Sequence, residues 1–264
     1  MERRWTCRDL TEAVARCRTR NGIGIRCSLH PLAEYAGERG QVDTAYGAYL
    51  GAIEAIEEGG ANASIAVKLS ALGLAFDDGL CRSIFASLLR KAREHEVVVE
   101  VDMEGRDMVA RTLSITRASA REGHPLTLSL QAYLDRTEED ISAVKSEGIA
   151  VRVVKGAYLG DTADFRKIQE RFKGYAETAA SLGGRFLIGT HDPDLISWAE
   201  QRFSRQELEF GFLMGLADET KRRLAKEGWQ VAEYVPYGEA ADAYTYRRER
   251  YLDDLIAAGR SPAP

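Results

Sequence analysis

The stretch from Ser64 to Leu69, SIAVKL, is followed by a segment in which Leu80, Ile84 and Leu88 recur at the spacing of one helix face. A short apolar run followed by a longer segment of helical period is typical of a βα unit, in which an amphipathic helix covers a buried parallel strand. The same alternation continues from Gly22 to the end of the chain. It gives eight candidate strands, at residues 23–28, 64–69, 97–102, 126–131, 150–155, 186–190, 208–213 and 230–234.

Eight βα units predict an α/β fold, a closed (β/α)8 TIM-like barrel with an extra N-terminal helix. An open doubly wound sheet also holds many strands, but no G-x-G-x-x-G follows any strand of this chain. No linker rich in Pro, Gly or Ser divides the sequence. We therefore expect a helical segment over residues 1–22 and one barrel domain over residues 23–264, with function at the C-terminal ends of the strands.

Composition excludes several classes of protein. The 264 residues are 45% hydrophobic and 29% charged, which excludes disordered and fibrous chains. A net charge of −5 argues against a nucleic-acid binder. The spacings of the four cysteines and four histidines predict no metal site. No apolar run is long enough to cross a bilayer or to form a secretion signal, so we expect a cytoplasmic chain that begins near Met1.

Polar and ionisable residues stand at or just past the ends of the predicted strands, where packing explains them poorly. Arg152 lies in an apolar run and needs a counter-charge or a ligand if buried. An internal ion pair with Asp102 or Glu104 is the structural alternative. Because alternate residues of a strand face opposite sides, at most one of Arg152 and Lys155 faces the barrel lumen in an ideal strand.

Two adjacent arginines, Arg247 and Arg248, lie on the last predicted helix and offer bidentate donors to a carboxylate. A solvent-exposed charged face is the alternative for this pair. Taken alone, Lys68 is better explained as a solvated lysine at a strand end, and His191 as a structural histidine.

Seven motifs at these strand ends occur in the order of a known family. They are VKLSALG (67–73), VDME (101–104), QAY (131–133), RVVKGAY (152–158), THD (190–192), YVPYG (234–238) and YTYRR (244–248). With them the sequence resembles the FAD-dependent proline dehydrogenases, of the monofunctional bacterial type, from about residue 40 to 255.

The resemblance implies that FAD lies over the strand ends. It places Arg152 near the flavin N5 atom, Gln131 at the pyrimidine edge, and Thr190 and His191 near the FAD chain and its phosphates. It also implies contacts from Lys167 on the following helix and from the stretch after strand five, that is Val154, Lys155, Gly156 and Ala157.

For the substrate, the resemblance implies L-proline, whose carboxylate is held by Lys68, Arg247 and Arg248, with Asp102 orienting this cluster. Tyr158, Leu213 and Tyr234 correspond to the walls around the pyrrolidine ring. Hydride then leaves the ring carbon next to nitrogen for flavin N5 and gives Δ1-pyrroline-5-carboxylate. The residues expected to be catalytic are Arg152, Lys68 and Asp102.

Three positions depart from the family pattern. Tyr251 stands where relatives have a glutamate, Gly211 replaces a polar residue of strand seven, and SLHPL (28–32) replaces D-x-L-G-E. Two alternatives therefore stay open: the same chemistry on hydroxyproline or another cyclic amino acid, and a barrel that has lost catalysis and acts as a binding module. The presence of Tyr234 favours proline over hydroxyproline.

The resemblance also implies that electrons pass to membrane quinone, because the chain has no room for a second dehydrogenase domain. The sequence offers no membrane anchor. The basic run Lys221-Arg222-Arg223 suggests a transient contact at the inner face of the membrane.

Overall fold

The computed structural model describes residues 4–264 and shows eight parallel strands closed into a barrel in chain order. The register between the first and last strands, in which Ser28 lies opposite Tyr234, closes the barrel. The prediction of a (β/α)8 barrel with an extra N-terminal helix is confirmed. The strands are β1 (Arg26–Pro31), β2 (Ala63–Val67), β3 (Val99–Val101), β4 (Leu126–Gln131), β5 (Ala150–Val154), β6 (Phe186–Gly189), β7 (Leu208–Leu213) and β8 (Gln230–Tyr237).

The first and last of the helices have special positions. The first helix packs on β1 and β8 and so covers the seam of the barrel, whereas the last helix reaches over the C-terminal ends of the strands. The helices are α1 (Leu10–Asn21), α2 (Arg39–Gly59), α3 (Asp78–Glu94), α4 (Arg106–Arg121), α5 (Thr137–Lys145), α6 (Phe165–Ser181), α7 (Pro193–Arg202), α8 (Asp218–Lys226) and α9 (Asp242–Ala257).

Aspartate side chains begin several of these helices. Asp9, Asp77, Asp164 and Asp192 each accept a hydrogen bond from a backbone N–H of the first turn, at the start of α1, α3, α6 and α7. Such caps satisfy N–H groups that have no partner within the helix. Within residues 4–264, no helix combines the length and the apolar character that crossing a membrane requires.

A buried cluster of charges fixes α1 to the barrel. Glu233 of β8 accepts hydrogen bonds from Arg16 of α1 at 2.5 Å and from Lys221 of α8 at 2.5 Å. Arg20 of α1 also binds Glu233, at 3.1 Å. The Lys221 side chain is fully buried in this cluster. Arg223, two residues further along α8, pairs with Glu200 and Glu227. The prediction that Lys221-Arg222-Arg223 forms a basic membrane-facing surface is wrong for Lys221.

Some strand boundaries differ from the prediction. β1 begins at Arg26 instead of Ile23 because Gly24, at φ +78°, lies in the turn that follows α1. β2 ends at Val67 because a 3-10 helix, Leu69–Leu72, begins directly behind Lys68. β8 continues to Tyr237, which lies opposite Pro31 of β1.

Candidate functional site

The C-terminal ends of the strands and the inner side of α9 enclose a cavity of about 1120 Å³, part of which is open to solvent. It brings together every predicted site residue except Lys167. These are Lys68, Asp102, Gln131, Arg152, Val154, Lys155, Gly156, Ala157, Tyr158, Thr190, His191, Leu213, Tyr234, Arg247 and Arg248. Lys167 instead lies exposed on the first turn of α6.

Two of the predicted cations bind a carboxylate of the protein itself. Arg247 forks onto Glu34, with Nη1 donating to Oε1 at 2.9 Å and Nη2 to Oε2 at 2.7 Å. The Nζ atom of Lys68 donates to the same carboxylate. Burial alone would raise the pKa of Glu34, but the charges of Lys68 and Arg247 lower it to about 2. The cluster therefore already has the donor geometry that a carboxylate ligand requires.

Glu34 was missed by the sequence analysis, although a signal was present. We aligned the D-x-L-G-E motif with residues 28–32, two positions too early. The residues HPLAE (30–34) retain its leucine and glutamate, at Leu32 and Glu34.

Arg248 makes a different set of contacts from its neighbour Arg247. Its guanidinium lies over the ring of Tyr244, 4.8 Å from the centroid. Its Nε is buried and has no hydrogen-bond partner in the part of the chain that the structure describes. Arg248 therefore retains a free donor beside the carboxylate-binding pair.

Asp102 contacts a tyrosine instead of the cations. The hydroxyl of Tyr234 donates to Asp102 Oδ2 at 2.6 Å. In residues 4–264 no hydrogen bond joins Asp102 to Lys68, Arg247 or Arg248. Burial raises the pKa of Asp102, and burial followed by the Asp102 charge raises that of Tyr234 well above its ordinary value. The tyrosine is thus a neutral donor fixed in one orientation.

Arg152 extends into the barrel lumen and binds Glu100 of β3. The alternative expectation was an internal ion pair of Arg152 with Asp102 or Glu104. The ion pair is present, but the carboxylate belongs to Glu100. Glu104 lies beyond the end of β3, where its carboxylate accepts hydrogen bonds from Ser70.

Residues that line the cavity carry five buried polar atoms without hydrogen-bond partners among residues 4–264: Ser28 Oγ, Gln131 Oε1, Arg152 Nε, the Tyr244 hydroxyl and Arg248 Nε. The amide nitrogen of Gln131 donates to the backbone oxygens of Met103 and Glu104, at 3.3 and 3.1 Å, so the free oxygen is held in place. An unpaired buried polar group costs roughly 1–3 kcal/mol, which favours a ligand that pairs with such atoms, Gln131 Oε1 and Arg152 Nε among them.

The loop after β5 packs closely against Tyr133. Gly156 has φ +117°, and a Cβ atom there would overlap the Tyr133 ring. The Tyr133 hydroxyl accepts a hydrogen bond from the N–H of Tyr158 at 3.1 Å. Glycine at 156 thus lets the tyrosine support the loop that carries Lys155 and Ala157.

His191 and Tyr251 connect the end of β6 to β7 and α9. His191 Nε2 accepts from the N–H of Leu213 at 2.9 Å, so we assign its proton to Nδ1. Burial, followed by the charges of Lys221 and Arg248, holds the pKa of His191 well below its ordinary value. Tyr251, the departure on α9, accepts a hydrogen bond from the His191 N–H at 3.3 Å.

The second departure, Gly211 on β7, leaves space beside Arg152. A Cβ atom at this position would lie 3.8 Å from Arg152 Nε and 3.2 Å from the backbone oxygen of Ile188. A larger side chain would therefore cover the unpartnered Nε.

The fold and the cavity together define a (β/α)8 barrel with a polar cavity at the C-terminal face of its strands, the face at which TIM-barrel enzymes have their active sites. The model of the proline dehydrogenase family matches residues 13–173. Proline dehydrogenase 1 of Bacillus subtilis (strain 168) is 32% identical over 256 residues, which cover 93% of this chain and 85% of that protein. The chain belongs to the proline dehydrogenase family.

More distant relatives and solved structures agree with this placement. The proline dehydrogenase of Deinococcus radiodurans is 26% identical over 241 residues, covering 85% of this chain and 77% of that protein. The proline utilization A (PutA) of Bdellovibrio bacteriovorus, inactivated by N-propargylglycine, matches with a TM-score of 0.83 at 18% identity. That match covers 95% of this chain, which spans only 32% of the PutA chain, and at this identity it shows a shared fold.

Proposed function

We propose that this protein is an FAD-dependent proline dehydrogenase that oxidises L-proline to Δ1-pyrroline-5-carboxylate. One observation carries the proposal: a carboxylate-binding pair of cations lines the same cavity as the unpartnered buried atoms Gln131 Oε1 and Arg152 Nε. An amino-acid substrate supplies a carboxylate for the cations. A flat heterocycle with hydrogen-bond donors and acceptors at its edges pairs with Gln131 Oε1 and Arg152 Nε.

The residues fit a bound flavin. Gln131 Oε1 would accept from a ring N–H, and Arg152 Nε would donate to a ring nitrogen. Val154, Lys155, Gly156, Ala157, Thr190 and His191 would complete the cofactor wall, and we leave the exposed Lys167 out of this set. When bound, the flavin supplies a two-electron acceptor for hydride.

The cations orient the substrate. Arg247 and Lys68 exchange Glu34 for the substrate carboxylate, and Arg248 adds its free Nε donor. With the carboxylate fixed, the ring lies among Tyr158, Leu213 and Tyr234. Effective orientation of this kind lowers the barrier without a strong base.

The remaining residues adjust charge and shape. Asp102 acts through Tyr234, whose hydroxyl it holds, and so fixes one wall of the ring pocket. Arg152 would hold a positive charge beside a bound flavin, where it would stabilise negative charge on the reduced ring. We assign the amine proton to solvent; His191 Nε2 does not serve as the base, because it already accepts the Leu213 N–H.

We further propose that electrons leave to a quinone, and that the buried Lys221 takes no part in a membrane contact. Reoxidation of the proline-reduced protein by a soluble quinone tests the acceptor. Failure to reoxidise, alongside rapid reduction, would reject the quinone and leave the dehydrogenase assignment intact.

The deciding experiment is an absorption spectrum of the purified protein before and after anaerobic addition of L-proline. We expect a flavin band that L-proline bleaches and that pyrrolidine, which lacks the carboxylate, does not. If hydroxyproline bleached the band more readily than L-proline, hydroxyproline would be the substrate instead. Protein that takes up no FAD would instead support a binding module and reject the proposal.

A further inference from the structure

We propose that Glu100 is a positioning residue that aims Arg152 at the flavin and thereby sets the reduction potential of the cofactor. The inference rests on the proposed function and concerns residues below the cavity, in the barrel lumen.

Glu100 is the residue, among those the structure describes, that accepts a hydrogen bond from Arg152. Its Oε2 atom faces Arg152, while Oε1 accepts from Arg26 Nη1 at 2.8 Å and from Ser64 Oγ at 2.5 Å. The Glu100 side chain is 1% exposed. Three donors on three different strands thus fix the position of this carboxylate, and the carboxylate in turn fixes Arg152.

On the opposite side, Arg152 has little support. Gly211 and Gly189 carry no side chains there, and a Cβ atom on either would lie 3.8 Å from an Arg152 side-chain atom. The Nε atom has no partner in residues 4–264. The direction of the guanidinium therefore depends on its bond to Glu100.

Glu100 is ionised in the folded protein. Burial alone would raise its pKa, but the adjacent Arg152 and Arg26 hold that pKa well below its ordinary value. Charge at the reduced cofactor interacts strongly with a fixed cation in a dry site, and a small movement of that cation changes the interaction. A change of position at constant charge is therefore measurable as a change of potential.

The lumen contains a matched control. Glu209 of β7 is also buried and also binds Arg26, at 2.5 Å, but its second partner is Arg185 at 3.4 Å and not Arg152. Shortening either glutamate to aspartate preserves the charge of the lumen. Only the change at position 100 withdraws a carboxylate from Arg152.

The experiment compares the midpoint potential of bound FAD in the wild type, Glu100→Asp and Glu209→Asp. We expect Glu100→Asp to make reduction about tenfold less favourable, a fall of about 30 mV for a two-electron couple. Glu209→Asp should leave the potential near that of the wild type. Equal shifts in both variants, or none at position 100, would overturn the inference while proline bleaching of the wild type still upheld the proposed function.

A second variant covers the case in which Glu100→Asp does not retain FAD. Ser64→Ala preserves all charges and removes one of the hydrogen bonds that fix Glu100. A smaller fall in potential, of the same sign, supports the inference. An unchanged potential in Ser64→Ala would reject it, whatever the fate of the aspartate variant.

Discussion

Replacing Arg247 by glutamine should weaken substrate binding without stopping turnover. The guanidinium donates two hydrogen bonds to Glu34 in the free protein, at 2.9 and 2.7 Å, and its side chain is only 13% exposed. A substrate carboxylate would use the same two donors. The substitution removes both of them and a positive charge.

The expected magnitude follows from this geometry. A hydrogen bond to a charged group contributes about 1.5–3 kcal/mol. The two bonds contribute less than their sum to the free energy of substrate binding, because the substrate must first displace Glu34, which then loses the same two hydrogen bonds. The net loss is therefore close to one bond, and at about 1.4 kcal/mol per factor of ten it corresponds to a KM roughly 10- to 150-fold higher.

Steady-state kinetics with L-proline would test this expectation. KM should rise while kcat changes by no more than about threefold, the pattern of an interaction equally strong in the ground and transition states. Arg250→Gln, an exposed position three residues further along α9, is the matched control and should behave as wild type. A KM within about twofold of wild type, or an equal rise in both variants, would contradict carboxylate binding by Arg247.

Three further predictions concern stability and cofactor binding. The pKa of Glu34 is about 2 in the folded protein, below its ordinary 4.5, so its charge stabilises the fold above pH 4.5 and this stabilisation is lost as the pH falls toward 2. Glu34→Gln should cost roughly 3 kcal/mol at pH 7 in urea unfolding, and the difference from wild type should shrink at pH 3. Gly156→Ala should weaken FAD binding about 5- to 150-fold, because the added Cβ atom overlaps the Tyr133 ring and about 1–3 kcal/mol of strain results. Adding Tyr133→Ala to this variant should restore part of the FAD affinity, measured by fluorescence titration. Glu233→Gln leaves Lys221 buried without a full counter-charge, so unfolding free energy should fall by about 3–5 kcal/mol and Tm by roughly 6–20 °C in calorimetry.

Each of these has an outcome that would contradict it. A constant difference between Glu34→Gln and wild type from pH 7 to 3 would mean that Glu34 does not titrate as described. Gly174→Ala, on the open side of α6, controls for Gly156, and equal FAD affinities in the two variants would exclude the steric argument. A Glu233→Gln protein as stable as wild type would show that the α1 contact is not maintained by charge.

Much of the barrel could be predicted from local sequence, because strand and helix periods are properties of neighbouring residues. The bounds of β4 and β7 agree with the prediction to the residue, and in both strands apolar residues alternate with polar residues or glycine. β1 was placed three residues early. Its apolar residue Ile23 belongs to the turn around Gly24, which a count of apolar residues does not distinguish from a strand.

The sequence by itself determined most of the side chains that reach the site, although it missed Glu34 and wrongly included Lys167. Parallel strands of a barrel end on one face, so Lys68, Gln131 and Arg152 had to meet once the strands were located, and the motifs added Arg247. Tertiary structure alone decided which of these groups pair. Arg152 binds Glu100 instead of Asp102 or Glu104, and Arg247 binds a carboxylate 213 positions away in the chain. Such contacts depend on strand register, barrel closure and the passage of α9 over the barrel mouth, which are set by packing of the whole chain and leave no local pattern in the sequence.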